Sequence, residues 1–402
     1  MILNKKFYFK NKLLDFHIKI LFIDVKFYLN GFISIILSFF RLYNYTSLRN
    51  LIKKNNSEKI LIIELNNFHS EIFPSWLFYL KNLGYDNKIV FLASRDIHKS
   101  NPFLFLENNL NTNYAFYAMD PRIILQTYNL GFFRKFKKVI FNSEIFYFSP
   151  IDHYTHLLDI LTNKKNLKNS IFLSHNTLQT MTTKNNHIDK KRQVLTLSPK
   201  ISEDVKIDYI MPLINNNCES EHILKKTTFE KSKIFASCGN IKINCKDSEG
   251  LISALEKTLD TNKTINIIGK IPKKLINNKS INCYPKLSFL ELKSILEKSH
   301  FILFLLREDI SYQYKFNNFS GTLPLALNFN LIPIIEESFA KFYLLDDTNA
   351  IIYKNGELDK AILRACLIEY NEYVLMQKEL NKIKQKIRIE SLKNLKKTLG
   401  DN

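Results

Sequence analysis

Between Phe316 and Phe339 the chain sets a polar loop, Asn317-Asn318, ahead of a turn of small hydroxyl residues, Ser320-Gly321-Thr322. An apolar run of helical length follows to Phe329, then a short β-type run, Leu331-Ile332-Pro333-Ile334-Ile335, ending in Glu336 and Glu337. A helix that begins in small hydroxyl residues offers unpaired backbone N–H groups and the positive end of its dipole, which suits a phosphate. The same residue types also serve as plain N-caps, with Ser320 or Thr322 accepting from the first turn and nothing bound.

The elements that must position this turn are legible from periodicity. Ile60–Leu65 reads as a buried strand, and Ser70 to Leu83 as a helix stopped by Gly84. Further strands are expected at Ile89–Ala93, Tyr114–Tyr117, Val139–Asn142, Ile171–Ser174 and Val194–Ser198, with helical patterns near 121–129 and 151–162. Residues 214–232 are polar and mark a linker. A second alternation then starts: strand Ile234–Ser237, helix Asp247–Leu259, strand Ile265–Ile268, strand Ile281–Tyr284 and a helix opening on the capping-box spacing Ser288 to Glu291. Strand Phe301–Leu306, the opening turn, strand Ile351–Tyr353 and a long helical region complete it.

Strands alternating with helices predict an α/β chain with parallel sheets covered by helices. The expected units are a basic, apolar helical segment at 1–57, a first Rossmann-like domain at 58–213, a second at 233–375 and a basic C-terminal helix at 376–402. Two such domains bring their strand ends, and hence their ligand loops, to facing edges of a cleft. The groups just after strands are therefore the ones to watch: Glu64 to Glu71, His175, Gly239, Gly269-Lys270, Arg307 and the 314–322 loop.

Lysine and arginine number 58 against 38 acids, a net excess of 20. Such a charge suits an anionic partner: a nucleic acid, a phosphate-bearing metabolite or a membrane surface. The excess is uneven, since residues 1–56 hold ten basic residues against Asp15 and Asp24, and the tail from Lys378 is again lysine-rich. From Leu13 to Tyr45 the sequence is rich in Phe, Ile, Leu and Tyr between basic flanks, which fits a helix lying in the headgroup region of an anionic bilayer or a helical hairpin packed on the first domain. Its longest uncharged run, Phe27 to Phe40, is too short to cross a bilayer, which takes roughly 20 residues. Asp15, Asp24 and Lys26 interrupt it, so no secretory signal is expected. The five cysteines form no C-x-x-C pair, which argues against zinc and for a reducing cytoplasm. Asp152, His153 and His156 lack the fourth group a metal site needs.

Three further stretches accompany these signals: Ser-Cys-Gly-Asn at 237–240, Ile-Ile-Gly-Lys at 267–270, and Leu-Ser-Phe-Leu-Glu-Leu ahead of Phe-Ile-Leu-Phe-Leu-Leu. In that order, and followed by the run from Phe319 to Ile335, the second domain resembles the C-terminal half of GT-B-fold glycosyltransferases, with the likeness extending over about residues 58–375. The resemblance implies transfer of a sugar from a nucleotide donor to an acceptor held by the first domain. One departure stands out. Many retaining members carry two glutamates, fifteen and seven residues before the proline of the last strand; counting back from Pro333 gives Asn318 and Ala326, with Gly321 in its expected place.

Glycosyl transfer requires a stabilised leaving diphosphate, a positioned acceptor hydroxyl and sometimes a base. On this reading Gly239, Asn240, Gly269, Lys270, Arg307, Lys315, Ser320, Gly321 and Thr322 are the expected donor contacts, and no metal or other cofactor is expected. His69, Glu71 and His175 are the candidates to orient or deprotonate the acceptor. Their structural alternatives are a first-turn helix charge for Glu71 and a capped or core histidine for His175. The expected partners are a nucleotide sugar, a glycan or lipid-linked acceptor and an anionic membrane surface, with the protein peripheral on the cytoplasmic face. Two other readings stay open: an inactive relative serving as a binding subunit, and a nucleic-acid-binding protein. The second is disfavoured because lysines gather at the termini beside apolar runs rather than among exposed aromatics.

Overall fold

The computed structural model describes residues 57–65, 70–106, 114–119, 132–142, 169–174, 193–197, 208–214, 229–241, 246–258, 262–275, 278–316 and 320–400, together with Ile124. The expected helix near 151–162, all but Ile124 of the one near 121–129, the apolar segment 13–45 and most of the 214–232 linker lie outside these residues.

The first lobe is a six-stranded parallel sheet in the order β3-β2-β1-β4-β5-β6. Its strands are β1 (Ile60–Ile63), β2 (Ile89–Ala93), β3 (Tyr114–Ala118), β4 (Lys138–Phe141), β5 (Ser170–Ser174) and β6 (Gln193–Thr196). β1, β2 and β5 are buried along their whole length, as apolar strands covered on both faces must be. Helix α1 (Phe73–Asn82) covers one face with Phe73, Trp76, Leu77 and Leu80, and Phe73 lies 4.9 Å from the Phe91 ring of β2. Gly84 ends that segment at φ +80°, as its sequence position suggested.

The second lobe repeats the plan in the order β12-β11-β10-β7-β8-β9. Its strands are β7 (Lys233–Cys238), β8 (Lys263–Ile268), β9 (Ile281–Tyr284), β10 (Phe301–Leu303), β11 (Ile332–Glu336) and β12 (Ile351–Tyr353). After α2 (Arg95–Ser100) in the first lobe come α3 (Ser248–Lys257), α4 (Phe289–Lys298), α5 (Glu308–Ser311), α6 (Gln313–Phe316), α7 (Thr322–Phe329), α8 (Glu337–Ala340) and α9 (Leu358–Leu367). The predicted capping box is present: Ser288 Oγ accepts from Glu291 N–H while the Glu291 carboxylate accepts from Ser288 N–H. Strand β10 is shorter than the expected Phe301–Leu306. Leu305 adopts φ +51° and its carbonyl accepts from Asp247 N–H at 2.9 Å, so the chain leaves the ladder to cross the sheet end.

The last helix, α10 (Tyr370–Leu399), begins before the expected boundary at 376 and ties the lobes together. Its first half packs on the second lobe, where Gln377 Nε2 donates to the Asn330 carbonyl at 2.7 Å. Its second half returns to the first: Ser391 Oγ accepts from Met211 N–H, Asn394 Nδ2 donates to the Tyr209 carbonyl, and the Arg388 guanidinium sits 4.6 Å above the Phe78 ring. A second seam is made by Phe105, edge-on to Phe329 at 5.3 Å, and by Asn328, whose amide accepts from Ile214 N–H and donates to the Pro212 carbonyl. Among the described residues no helix is long and apolar enough to cross a membrane.

Candidate functional site

In both sheets the strand order reverses between two central strands, β1 and β4 in the first lobe and β7 and β10 in the second. Loops leaving such strands diverge and open a crevice at their carboxyl ends. The second lobe builds this crevice from backbone first. Gly239 (φ +94°) follows β7 and Gly269 (φ +135°) follows β8. A Cβ on Gly269 would lie 2.7 Å from the Gly239 carbonyl carbon, so only glycine lets the two turns close together. They are then laced by Lys270 N–H donating to Asn240 Oδ1 at 2.9 Å and Ile241 N–H donating to the Lys270 carbonyl at 2.8 Å. Four of the expected donor residues, Gly239, Asn240, Gly269 and Lys270, thus form one corner, and the Lys270 side chain is exposed above it.

Beside that corner stands Lys246, a residue that no motif or spacing along the chain singles out. Its side chain is buried, its Nζ donates to the Cys238 carbonyl at 2.8 Å, and it has no carboxylate partner among the described residues. Burial disfavours its charged form and draws its pKa down to about 8, the nearby Cys238 sulfur opposing the shift. The Cys238 thiol is pushed up to about 12 by the same burial. Lys246 precedes Asp247, the N-cap of α3, whose carboxylate accepts from Gly250 N–H at 2.9 Å. Any side chain at Gly250 would collide with that carboxylate.

Arg307 enters from the other side of the reversal, and its guanidinium is largely taken up by carboxylates. It meets Asp247 at 3.2 Å, Glu249 at 3.6 Å and Asp309 through two nitrogens at 2.7 and 3.1 Å. Lys315 is buried on Glu308 at 2.5 Å with the Phe339 ring 5.2 Å away. Glu336, at the end of β11, is buried; its carboxylate accepts from Glu308 N–H and Ser338 Oγ, and desolvation raises its pKa against those two bonds. Tyr353, paired in register with Glu336, carries a buried hydroxyl without a hydrogen-bond partner among the described residues, as does Ser237 on β7.

The Ser320-Gly321-Thr322 turn places Gly321, rather than Ser320 or Thr322, at the N-cap of its helix. Ser320 Oγ accepts from Thr322 N–H at 3.3 Å and lies 3.1 Å from Thr322 Oγ1, so part of the first turn is capped internally. Ser320 N–H donates to the Tyr343 hydroxyl, which in turn donates to the Tyr314 carbonyl and pins the incoming loop. Gly321, the N-cap of α7, is exposed, and a Cβ built on it meets nothing within 4 Å. Because α7 connects the parallel neighbours β10 and β11, its N-terminus lies at the carboxyl edge of the sheet. Asn318 lies outside the described residues. Ala326 is fully buried, with no room for the glutamate that many retaining enzymes carry there.

On the first lobe, Glu71 is exposed in the 3-10 turn Ser70–Ile72 ahead of α1. His69 and His175 lie outside the described residues. The crevice between β1 and β4 is instead marked by Glu64, fully buried and accepting from Asn142 Nδ2 at 2.6 Å, while Asn142 Oδ1 accepts from Trp76 Nε1 at 2.8 Å. Among the described residues no group of three or more His, Cys, Asp and Glu side chains is gathered as metal ligands would be.

No protein-family model matches the sequence, and no curated protein matches it. Solved structures do. A glycosyltransferase from Rickettsia africae superposes with a TM-score of 0.56 at 14% identity, over 86% of this chain and 100% of that one. HepE of Anabaena, crystallised with UDP and glucose, gives 0.54 at 10% identity with the same coverage, and its UDP-glucose complex gives 0.55. With two six-stranded parallel sheets, each reversed at its centre, and a last helix that returns to the first lobe, the chain has the GT-B glycosyltransferase fold.

Proposed function

We propose that the protein is a glycosyltransferase, taking a sugar from a nucleotide-sugar donor at the carboxyl edge of the second sheet and passing it to a hydroxyl of an acceptor on the first lobe. The observation that carries this reading is Lys246. A buried cation that, among the described residues, is met only by a carbonyl, beside the glycine corner and at the strand reversal, is a poor structural device but a good seat for a diphosphate. The exposed N-cap of α7 at Gly321 would add the positive end of the helix dipole on the same edge. In the transfer, the bond from the sugar C1 to the phosphate oxygen breaks and the bond from C1 to the acceptor oxygen forms. The hydroxyl proton leaves to a base. Negative charge grows on the departing phosphate, where Lys246 and the Gly321 amide would stabilise it. Arg307 would act less as a contact than as a strut holding Asp247, and therefore Lys246, in place. Lys270 and Lys315 are the remaining cations proposed for the donor, and Glu71, His69 and His175 for the acceptor side.

The neighbour HepE was crystallised with UDP and with UDP-glucose, which supports a uridine donor here. The acceptor we propose is a growing cell-surface polysaccharide or a lipid-linked glycan at the inner membrane face, a reading that rests on segment 13–45 and the basic ends. Titration calorimetry with UDP, GDP and CMP tests the donor half: saturable heat with one of them is expected, and none with any of the three overturns it. A second reading, a binding subunit that no longer turns over, draws on the buried Ala326. It predicts nucleotide binding without any mass shift across an acceptor mixture.

A further inference from the structure

Helix α10 buries one side and leaves the other bare. Tyr373, Leu380, Lys384, Ile387, Ser391 and Leu395 face inward. At about 3.6 residues per turn, the exposed residues Leu375, Lys378, Lys382, Lys386, Ile389, Lys393 and Lys396 fall within a sector of roughly 80° on the opposite side. The stripe runs for about 31 Å. It contains no acid: Glu372, Glu379 and Glu390 all lie on its flank. Lys382 is paired with Glu379 at 2.7 Å, whereas Lys378, Lys386, Lys393 and Lys396 have no carboxylate partner among the described residues. Leu375 and Ile389, 60% and 65% exposed, sit among these lysines.

We infer that this stripe is a docking surface for an anionic lipid bilayer. Charge complementarity supplies the attraction, since juxtamembrane lysines are each drawn to the negative surface of anionic leaflets. The two aliphatic side chains choose the lipid over a nucleic acid: they can enter the headgroup layer, and the stripe offers no aromatic platform for bases. A straight helical face also matches a plane. Because α10 packs on both lobes, docking through it would present the whole molecule to the membrane, leaving the buried side of the helix undisturbed. The inference deepens the membrane part of the reading above, placing the contact on α10 in addition to segment 13–45.

The test uses the full chain and co-sedimentation with vesicles of phosphatidylcholine alone or with phosphatidylglycerol. Binding is expected only to the anionic vesicles and is expected to fall with salt. The variant Lys378→Glu, Lys386→Glu, Lys393→Glu, Lys396→Glu should lose roughly a hundredfold or more in partitioning. Leu375→Ser with Ile389→Ser should lose less but measurably, with circular dichroism and UDP titration unchanged for both. If the four-lysine variant sediments like the wild type, α10 is not the docking surface although the membrane reading stands. If the wild type ignores anionic vesicles, both fall while the donor reading, followed by UDP heat on the same samples, is untouched. Tight single-stranded RNA binding lost in the same variant, without vesicle binding, would replace the lipid by a nucleic acid.

Discussion

The two lobes share one plan, yet they treat the polar group at their central strand reversal in opposite ways. In the first, Glu64 is closed off: its carboxylate, Asn142 and Trp76 form a buried chain of hydrogen bonds with partners on three elements. In the second, Lys246 meets a single carbonyl among the described residues, and there the hydroxyls of Ser237 and Tyr353 on the same sheet have no partner. A satisfied buried network specifies a core, whereas an unsatisfied cation invites an anion. On the proposed function, the comparison separates a lobe whose reversal is structural from one whose reversal would receive the donor.

That contrast is tested most severely at the glycine corner. Gly269→Val should cost about 3 kcal/mol or more, since φ +135° is nearly closed to side chains and the new Cβ would strike the Gly239 carbonyl. Urea denaturation reads this directly, and a wild-type midpoint would show that the two turns are not locked together. Next in size, Lys246→Met should weaken UDP binding by about 2 kcal/mol, roughly thirtyfold, while the fold persists. An unchanged Kd would remove Lys246 from the site.

The same lysine gives a pH test with a definite sign. The folded protein releases its proton near 8 and the unfolded chain only near 10.5, so between those values the unfolded state binds more protons and stability rises with pH. UDP affinity should move the other way, falling as pH passes through about 8. Both dependences should flatten in Lys246→Met, and parallel curves for the two proteins would refute the assignment. In the closed lobe, Asn142→Leu should destabilise by about 1–2 kcal/mol by removing the bonds of Asn142 to Glu64 and Trp76, with UDP affinity within about twofold of wild type. A large loss of UDP binding there would dissolve the contrast between the lobes. The smallest effect is expected at Gly321→Val: open space surrounds it, so stability should change by less than about 0.5 kcal/mol. Donor affinity should still drop by a few-fold through crowding of the exposed N-cap of α7, and an unaltered Kd would exclude that turn.

Much of the frame was legible in the chain because its signals are local. Apolar runs marked the strands, Gly84 marked a helix stop, and the Ser288–Glu291 spacing announced its capping box. Strand ends were harder to place. Phe304 still donates to the Ile334 carbonyl of β11, but the chain then turns away through the positive φ of Leu305, which the apolar run from Phe304 to Leu306 conceals. The site was half legible. Glycines at 239, 269 and 321 could be picked out since turns after strands favour them, but Lys246 looked like one lysine among many.

Periodicity and charge are properties of neighbours along the chain, so the class of fold, the two-lobe order and the basic balance were written in the residue order alone. Which cations remain available was settled by packing. Arg307 and Lys315 are engaged by Asp247, Asp309 and Glu308, whereas Lys246 is buried beside Gly239 with, among the described residues, only a carbonyl to hold it. Packing likewise chose which lysines of α10 stand together, because a stripe exists only once the opposite side of the helix has been buried against both lobes. Electrostatic partnership and burial depend on what the fold brings within a few ångströms, and no spacing along the chain records that.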